Sequence, residues 1–196
     1  MEHVHEGIPG LRIGRMTRRM PTAPAPDSEA ERVLAARAGN RTCLAWLHER
    51  YARMVHGILL SRVPPGDADD LVQDVFVTVL ERIHGLENAQ GVGAWIAQIT
   101  RNRAIDFHRR RRSTVDLPES LTERERPTAE AAEVLEHIRS LPDAYRETLA
   151  LRLVEGMTGP EIAERTGLTP GSVRVNLHRG MKLLRERLGT EATDES

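Results

Sequence analysis

Arg174, Asn176, His178, Arg179, Lys182 and Arg185 fall within one stretch, Pro170 to Arg187, and carry the chemistry of nucleic-acid recognition. A guanidinium can take the O6 and N7 edge of guanine in bidentate fashion, a carboxamide can take an adenine edge, and further cations neutralise phosphates. The stretch holds five Lys or Arg against Glu186 alone, a local charge of +4 in a chain whose net charge is -1. A second set, His48, His56, His84, Asp69 and Asp70, contains the residue types of a metal or acid-base site. Its spacing matches neither H-E-x-x-H nor a phosphate-cradling glycine loop, so it does not read as an enzyme centre. His3 and His5 lack a third ligand nearby, and the single cysteine, Cys43, excludes an intramolecular disulfide and any cysteine-based zinc site. No cofactor and no metal are expected. Cys43 reads as a small buried apolar residue in a reducing compartment, which points to the cytoplasm.

The elements that must present the basic stretch form a helix-turn-helix. Thr158-Gly159-Pro160-Glu161 is a capping box, a hydroxyl at the N-cap and a carboxylate three residues on, with proline in the first turn where its missing N–H costs nothing. Ile162, Ala163 and Leu168 give this short helix an apolar face, and Gly167 supplies a turn. Thr169-Pro170 repeats the start signal. The helix it opens carries Val173, Leu177, Met181, Leu184 and Leu188 as an inward stripe, which leaves the basic side chains outward.

Charge elsewhere is distributed in blocks. Asp67 to Glu87 has a net charge of -5, Val92 to Thr114 of +5 and Asp116 to Glu136 of -5. Such alternation implies separate surfaces, basic ones for a polyanion and acidic ones for a basic protein surface. Lys182 is the only lysine among the 28 Lys and Arg, so nearly every cation is the fork-shaped guanidinium suited to phosphates and base edges. The apolar fraction of 39 % contains no run long enough for membrane insertion.

Taken in order, residues 1–27 are rich in proline and lack periodicity, so they read as a disordered extension, with no apolar core of the kind a signal peptide has. Ser28 to Glu31 is another capping box, opening a helix that Gly39 closes. Leu44, Leu47, Tyr51, Met54, Val55, Ile58 and Leu59 predict a long amphipathic helix ending before Pro64. Asp67 is expected to cap a third helix, buried through Leu71, Val72, Val75, Phe76, Val79, Leu80 and Ile83, with Asp69, Asp70, Gln73 and Asp74 near its start. The dipole alone explains Asp69 and Asp70 and explains Asp74 less well. His84 to Gly93 reads as a loop. A fourth helix follows, with Trp95, Ile96, Ile99, Ala104, Ile105 and Phe107 inward, and ends in Arg109 to Arg112. Residues 113–128 read as an acidic linker. Helices over Ala129 to Ser140 and Asp143 to Glu155 lead into the helix-turn-helix, with Leu149, Leu151, Leu153 and Val154 as its floor. Gly189 is expected to close the last helix, leaving an acidic tail over 190–196. The fold class is all-α: two small helical domains, 28–112 and 129–189, joined by a flexible linker.

Asp67 to Phe76, Ala94-Trp95-Ile96 with Asn102 and Asp106 before the arginine run, Leu141-Pro142, and Glu161 through Arg174 together resemble the extracytoplasmic-function sigma factors of the sigma-70 family. The resemblance spans about residues 29 to 188. It implies a promoter-specificity subunit that binds core RNA polymerase. On that reading Asp70, Gln73, Asp74 and Phe76 dock on polymerase. Asn102, with Arg101, Arg103, Arg109, Arg110 and Arg111, serves the minus-ten element, where a flipped base needs donors and acceptors to hold it. Ser172, Arg174, Val175, Asn176, His178, Arg179 and Lys182 serve the minus-thirty-five element. The family often has a hydroxyl residue where Val175 stands and a basic one where Asn176 stands, which bears on base preference. The implied partners are core RNA polymerase, promoter DNA and an anti-sigma factor. The rival is a stand-alone helix-turn-helix regulator, which would leave the acidic helix and the Asn102 surface without a role.

Overall fold

The computed structural model describes residues 28–113 and 129–194, and among them every regular element is helical. The first half comprises α1 (Glu29–Arg37), α2 (Arg41–Leu60), α3 (Pro65–Arg82) and α4 (Val92–Ser113). The second comprises α5 (Ala129–Arg139), α6 (Asp143–Leu149), α7 (Gly159–Thr166) and α8 (Pro170–Asp194). Both predicted capping boxes form: the Ser28 and Thr158 hydroxyls accept from the backbone N–H three residues on, while Glu31 and Glu161 accept from the N-cap backbone. Gly167 takes φ +75° at the end of α7, the left-handed conformation that lets the chain turn sharply into α8.

In the first half, α2 is the central post, packed by α1, α3 and α4. Leu47, Met54, Val55, Ile58 and Leu59 of α2 are within 1 % of full burial, as are Val75 and Val79 of α3 and Ile96 of α4. Each such side chain contributes about 1.5–3 kcal/mol relative to exposure. In the second half α8 packs on α6 and α7, with Ile138, Leu141, Leu149, Ala150 and Leu184 forming a smaller core. The larger core does not stop at the first half. It continues through Leu151, Met157, Ile162, Ala163 and Val173, so the two halves share apolar contacts.

Several expectations are corrected. Asp67 lies in the first turn of α3 and does not cap it; Pro64 holds the N-cap position without a side-chain bond, because Pro65 is already shaped for the first helical residue. The stretch 84–93 is not simple loop: single 3-10 turns cover Ile83–Gly85 and Ala89–Gly91, and α4 has begun by Val92. Leu80, Ile105, Leu153 and Val154 are 45–60 % exposed and do not line the core. Leu80 and Ile105 lie at the edge of stripes wider than the surface their neighbours cover. The predicted helix over 143–155 changes pitch, α6 passing into a π turn at Ala150–Val154 that turns Leu151 inward and Leu153 and Val154 outward. Gly189 does not close α8, which runs to Asp194, since a glycine costs a helix about 1 kcal/mol without stopping it. The predicted extension over 1–27 lies outside the described residues, as does the predicted linker beyond Ser113.

Replacing Thr158 with Ala removes one side of a reciprocal cap and should lower stability by about 1 kcal/mol in urea unfolding. An unchanged midpoint would mean the box is dispensable for α7.

Candidate nucleic-acid interface

The helix α8 is anchored at its start by Thr169, whose hydroxyl accepts from the Ser172 N–H at 3.1 Å and lies 2.8 Å from the Ser172 hydroxyl. Its inward stripe holds, with Val173 and Leu184 buried and Leu177, Met181 and Leu188 half-buried. That packing leaves Ser172, Arg174, Val175, His178, Arg179 and Lys182 exposed and Asn176 half-exposed, a contiguous surface on one side of the helix. Lys182 has only a loose i, i+4 pair with Glu186 at 3.9 Å. Val175 is 43 % exposed among these polar groups, where an apolar side chain suits a thymine methyl.

The helix α4 presents a second basic face, on which Arg101, Arg103, Arg109 and Arg111 are paired with carboxylates. Asn102 is exposed and accepts a hydrogen bond from Gln98 at 2.9 Å. Arg103 pairs with Asp74 of α3, which joins a predicted minus-ten residue to a predicted polymerase-docking residue. Arg109 pairs with Asp106 at 3.1 Å, and Arg111 lies 3.5 Å from Asp67 while its guanidinium sits over the Phe107 ring. Arg110 is exposed. Asp70 and Gln73 are exposed on α3 and Asp74 is half-exposed, whereas Phe76 is 7 % exposed and packs against the His48 ring at a tilt of 50°, with centroids 4.4 Å apart.

Arg101 reaches across to the second half. Its Nε and Nη2 donate to the Glu147 carboxylate at 3.0 and 2.6 Å, and Arg62 Nη2 donates to the same carboxylate at 3.0 Å. The Glu147 side chain is 6 % exposed, so this charge survives burial only through its two guanidinium partners. The hydrogen bond from Arg101 to Glu147 raises the guanidinium pKa further above its ordinary value, against the effect of burial.

The remaining contacts between the halves have the same sense. Arg50 of α2 pairs with Glu164 of α7 at 2.7 Å, Arg53 lies 3.8 Å from Glu155, and Arg62 also pairs with Asp143 at 3.1 Å. His56 Nδ1 lies 2.6 Å from Glu155, with Asp69 at 3.7 Å on the other nitrogen. In the pairs that cross between the halves the cations come from the first half and the acids from the second, Asp69 belonging to the first half itself. Arg139 of α5 adds a bond from its Nε to the Leu60 carbonyl at 3.1 Å.

Sequence reasoning missed Glu147 and Glu155, whose identities are ordinary for helix surfaces. The regular spacing of Arg50, Arg53 and His56 along one side of α2 was the available signal. The histidines set aside as a metal or acid-base set are dispersed: His48 packs against Phe76, His56 joins Glu155, and His84 Nδ1 sits 2.8 Å from the Arg37 carbonyl. Among the described residues no three His, Cys, Asp or Glu side chains are grouped to hold a metal, and no helix is long and apolar enough to cross a membrane.

Two family models match this chain: Sigma-70 region 2 over residues 47–114 and Sigma-70 region 4 over residues 131–184. The RNA polymerase sigma factor SigZ of Bacillus subtilis is 33 % identical over 126 residues, covering 61 % of this chain and 72 % of that protein. The RNA polymerase sigma factor CarQ of Myxococcus xanthus is 31 % identical over 163 residues, covering 78 % of this chain and 93 % of that protein. In solved structures, CnrH in complex with the cytosolic domain of CnrY has a similar fold, with a TM-score of 0.59 at 24 % identity, covering 84 % of this chain and 99 % of that one.

Removing the Glu147 carboxylate as Glu147→Ala takes from Arg101 its carboxylate partner and leaves Arg62 with Asp143. Urea unfolding should show a loss of about 3 kcal/mol, the low end for a broken buried pair because Arg101 is partly exposed. A loss below about 1 kcal/mol would place the pair among weak surface bridges. For His56, the hydrogen bond to Glu155 raises the imidazole pKa, burial opposes the rise, and the charges of Glu155 and Asp69 add to it. A pKa raised on folding stabilises fully below the unfolded value of about 6.5 and is lost as pH climbs through the folded value. The Tm should therefore fall as pH rises above about 6.5, and His56→Gln should shrink that fall. An identical fall in both proteins would remove His56 as its cause.

Proposed function

This chain belongs to the extracytoplasmic-function branch of the sigma-70 family, and from that membership we propose how its two basic faces divide the work of a sigma factor. It binds core RNA polymerase in the cytoplasm and directs initiation at particular promoters, with no reaction catalysed by its own side chains. The observation that carries the reading is the exposed α8 surface from Ser172 to Lys182, held by a buried stripe and a capped turn.

Residues 129–189 form the minus-thirty-five module. Arg174 and Arg179 are the base-edge candidates, Asn176 and His178 have hydrogen-bonding edges between them, and Lys182 suits a phosphate. Residues 28–112 form the polymerase-binding and minus-ten module. Asn102 holds an extruded base, a state that costs a few kcal/mol of stacking and pairing, while Arg101, Arg103, Arg109, Arg110 and Arg111 follow the strand backbone. Asp70, Gln73 and Asp74 dock on polymerase, and the buried Phe76 fixes the helix that presents them. An anti-sigma factor is the proposed regulatory partner.

The test separates the two modules. Arg174→Ala or Arg179→Ala should weaken promoter binding by the polymerase complex by about 1–3 kcal/mol and relax base preference upstream, as read by competition between promoter variants. Asp70→Ala with Asp74→Ala should instead weaken association with core polymerase in a direct binding titration. Wild-type affinity for polymerase in the acidic variant, or unchanged promoter choice in both arginine variants, would contradict the assignment.

A further inference from the structure

Among the described residues of α8, Val175 is the one large hydrophobic side chain left exposed, at 43 %. It stands at the centre of the outward face. At about 100° of turn per residue, Val175 lies about 160° from Val173 and Leu177 and about 180° from Leu184, so it points most directly away from the core. Leu80 of α3, by contrast, is only about 40° from the buried Phe76 and so extends a buried stripe at its edge. On the face of α8, Lys182 stands about 20° from Val175, Gly171 and Arg179 about 40°, and Ser172 and His178 about 60°. These neighbours fall into two kinds. His178 and Arg179, one turn on, carry hydrogen-bonding groups. Gly171 and Ser172, one turn back, are small, and a Cβ added to Gly171 would find open space, with the Thr169 hydroxyl at 3.9 Å. Packing within the chain does not require that glycine, whereas an outside surface could come close to the backbone there.

Resting on the proposed minus-thirty-five role of this face, we infer that Val175 reads the C5 methyl group of one thymine in the major groove. The position then selects a methylated pyrimidine and not a pattern of hydrogen bonds. Valine has no side-chain donor or acceptor. In the major groove guanine offers N7 and O6, adenine N7 and an amino group, and cytosine an amino group, while thymine alone adds a methyl beside its O4. Valine pressed on any other edge strips water from a polar atom and returns no hydrogen bond. Against the methyl it removes apolar surface from water on both partners. Branching at Cβ holds the side chain nearly to one rotamer in a helix, so the contact costs little ordering. A side chain this short reaches a base edge only if the helix comes close, which Gly171 and Ser172 allow. One consequence separates this from hydrogen-bonded readout. 5-Methylcytosine carries its methyl where thymine does, so a cytosine at this base pair is accepted better once it is methylated at C5.

The test uses core RNA polymerase loaded with the full chain, and a promoter duplex recovered by run-off transcription. Each thymine of the upstream element is replaced in turn by deoxyuridine, which deletes the methyl and keeps every hydrogen-bonding group. Competition binding should show one position at which the wild type loses about fourfold in affinity, the worth of one buried methyl. Val175→Ala, a change at an exposed helix position that favours the helix, should bind the two duplexes alike. Replacing that thymine by cytosine, paired with guanine, should weaken wild-type binding, and 5-methylcytosine should recover about fourfold, a recovery that Val175→Ala does not share. The inference is overturned if no uracil weakens wild-type binding, if Val175→Ala keeps the wild-type response, or if 5-methylcytosine binds no better than cytosine. Where uracil is silent, Arg174→Ala and Arg179→Ala in the same competition show which reading has failed. If either relaxes the upstream preference, α8 remains the reader and Val175 takes no methyl. If neither does, the minus-thirty-five role falls and the inference with it.

Discussion

Burying one carboxylate between two guanidiniums is the constraint that organises this molecule. Glu147 must keep both Arg62 and Arg101 within hydrogen-bond reach, because a charge taken out of water is tolerated only when it is paired and hydrogen-bonded. Arg62 lies just beyond the C-terminal end of α2, Arg101 lies midway along α4, and Glu147 lies in α6, so the pairing fixes three helices at once. Apolar surface supplies most of the driving force. The ion pairs supply the register, since sliding α6 along α2 would leave a buried charge without its partner.

The two basic faces stand in different states as a result. The face of α8 is open, because its helix packs through an opposite stripe onto α6 and α7. The face of α4 is partly neutralised, Arg101, Arg103, Arg109 and Arg111 being answered by Glu147, Asp74, Asp106 and Asp67. This also bears on two of the charge blocks along the sequence, Asp67 to Glu87 and Val92 to Thr114, which meet through Asp74–Arg103 and Asp67–Arg111. Opposed blocks that suggest different partners in a linear reading partly meet each other in the folded chain. The acidic start of α3 neutralises α4 from within the first half, and the acids of α6, the π turn's end and α7 neutralise it and α2 from the second.

What was legible in the sequence was local. Capping boxes at Ser28 and Thr158, the turn at Gly167 and the stripe of α8 follow from hydrogen bonds and periodicities only a few residues long. The contact between the halves was not legible, because it joins residues 46 apart for Arg101 and Glu147 and 114 apart for Arg50 and Glu164. No local preference encodes such a pairing, and a glutamate in a helix looks the same whether it faces water or an arginine. Exposure failed at the edges for a related reason. Leu80 and Ile105 belong to apolar stripes, but a stripe shows only which side faces inward, while its buried width depends on what packs there. Leu153 and Val154 were misplaced because a π turn breaks the 3.6-residue period just where the floor was expected.

The measurement that bears most directly on this account is run-off transcription from a pool of genomic promoter fragments, with core RNA polymerase alone and with this protein added. The account predicts new discrete transcripts whose templates share two upstream elements about 25 base pairs apart, roughly 85 Å along the duplex. Active polymerase and folded protein that together give no new start sites would contradict it.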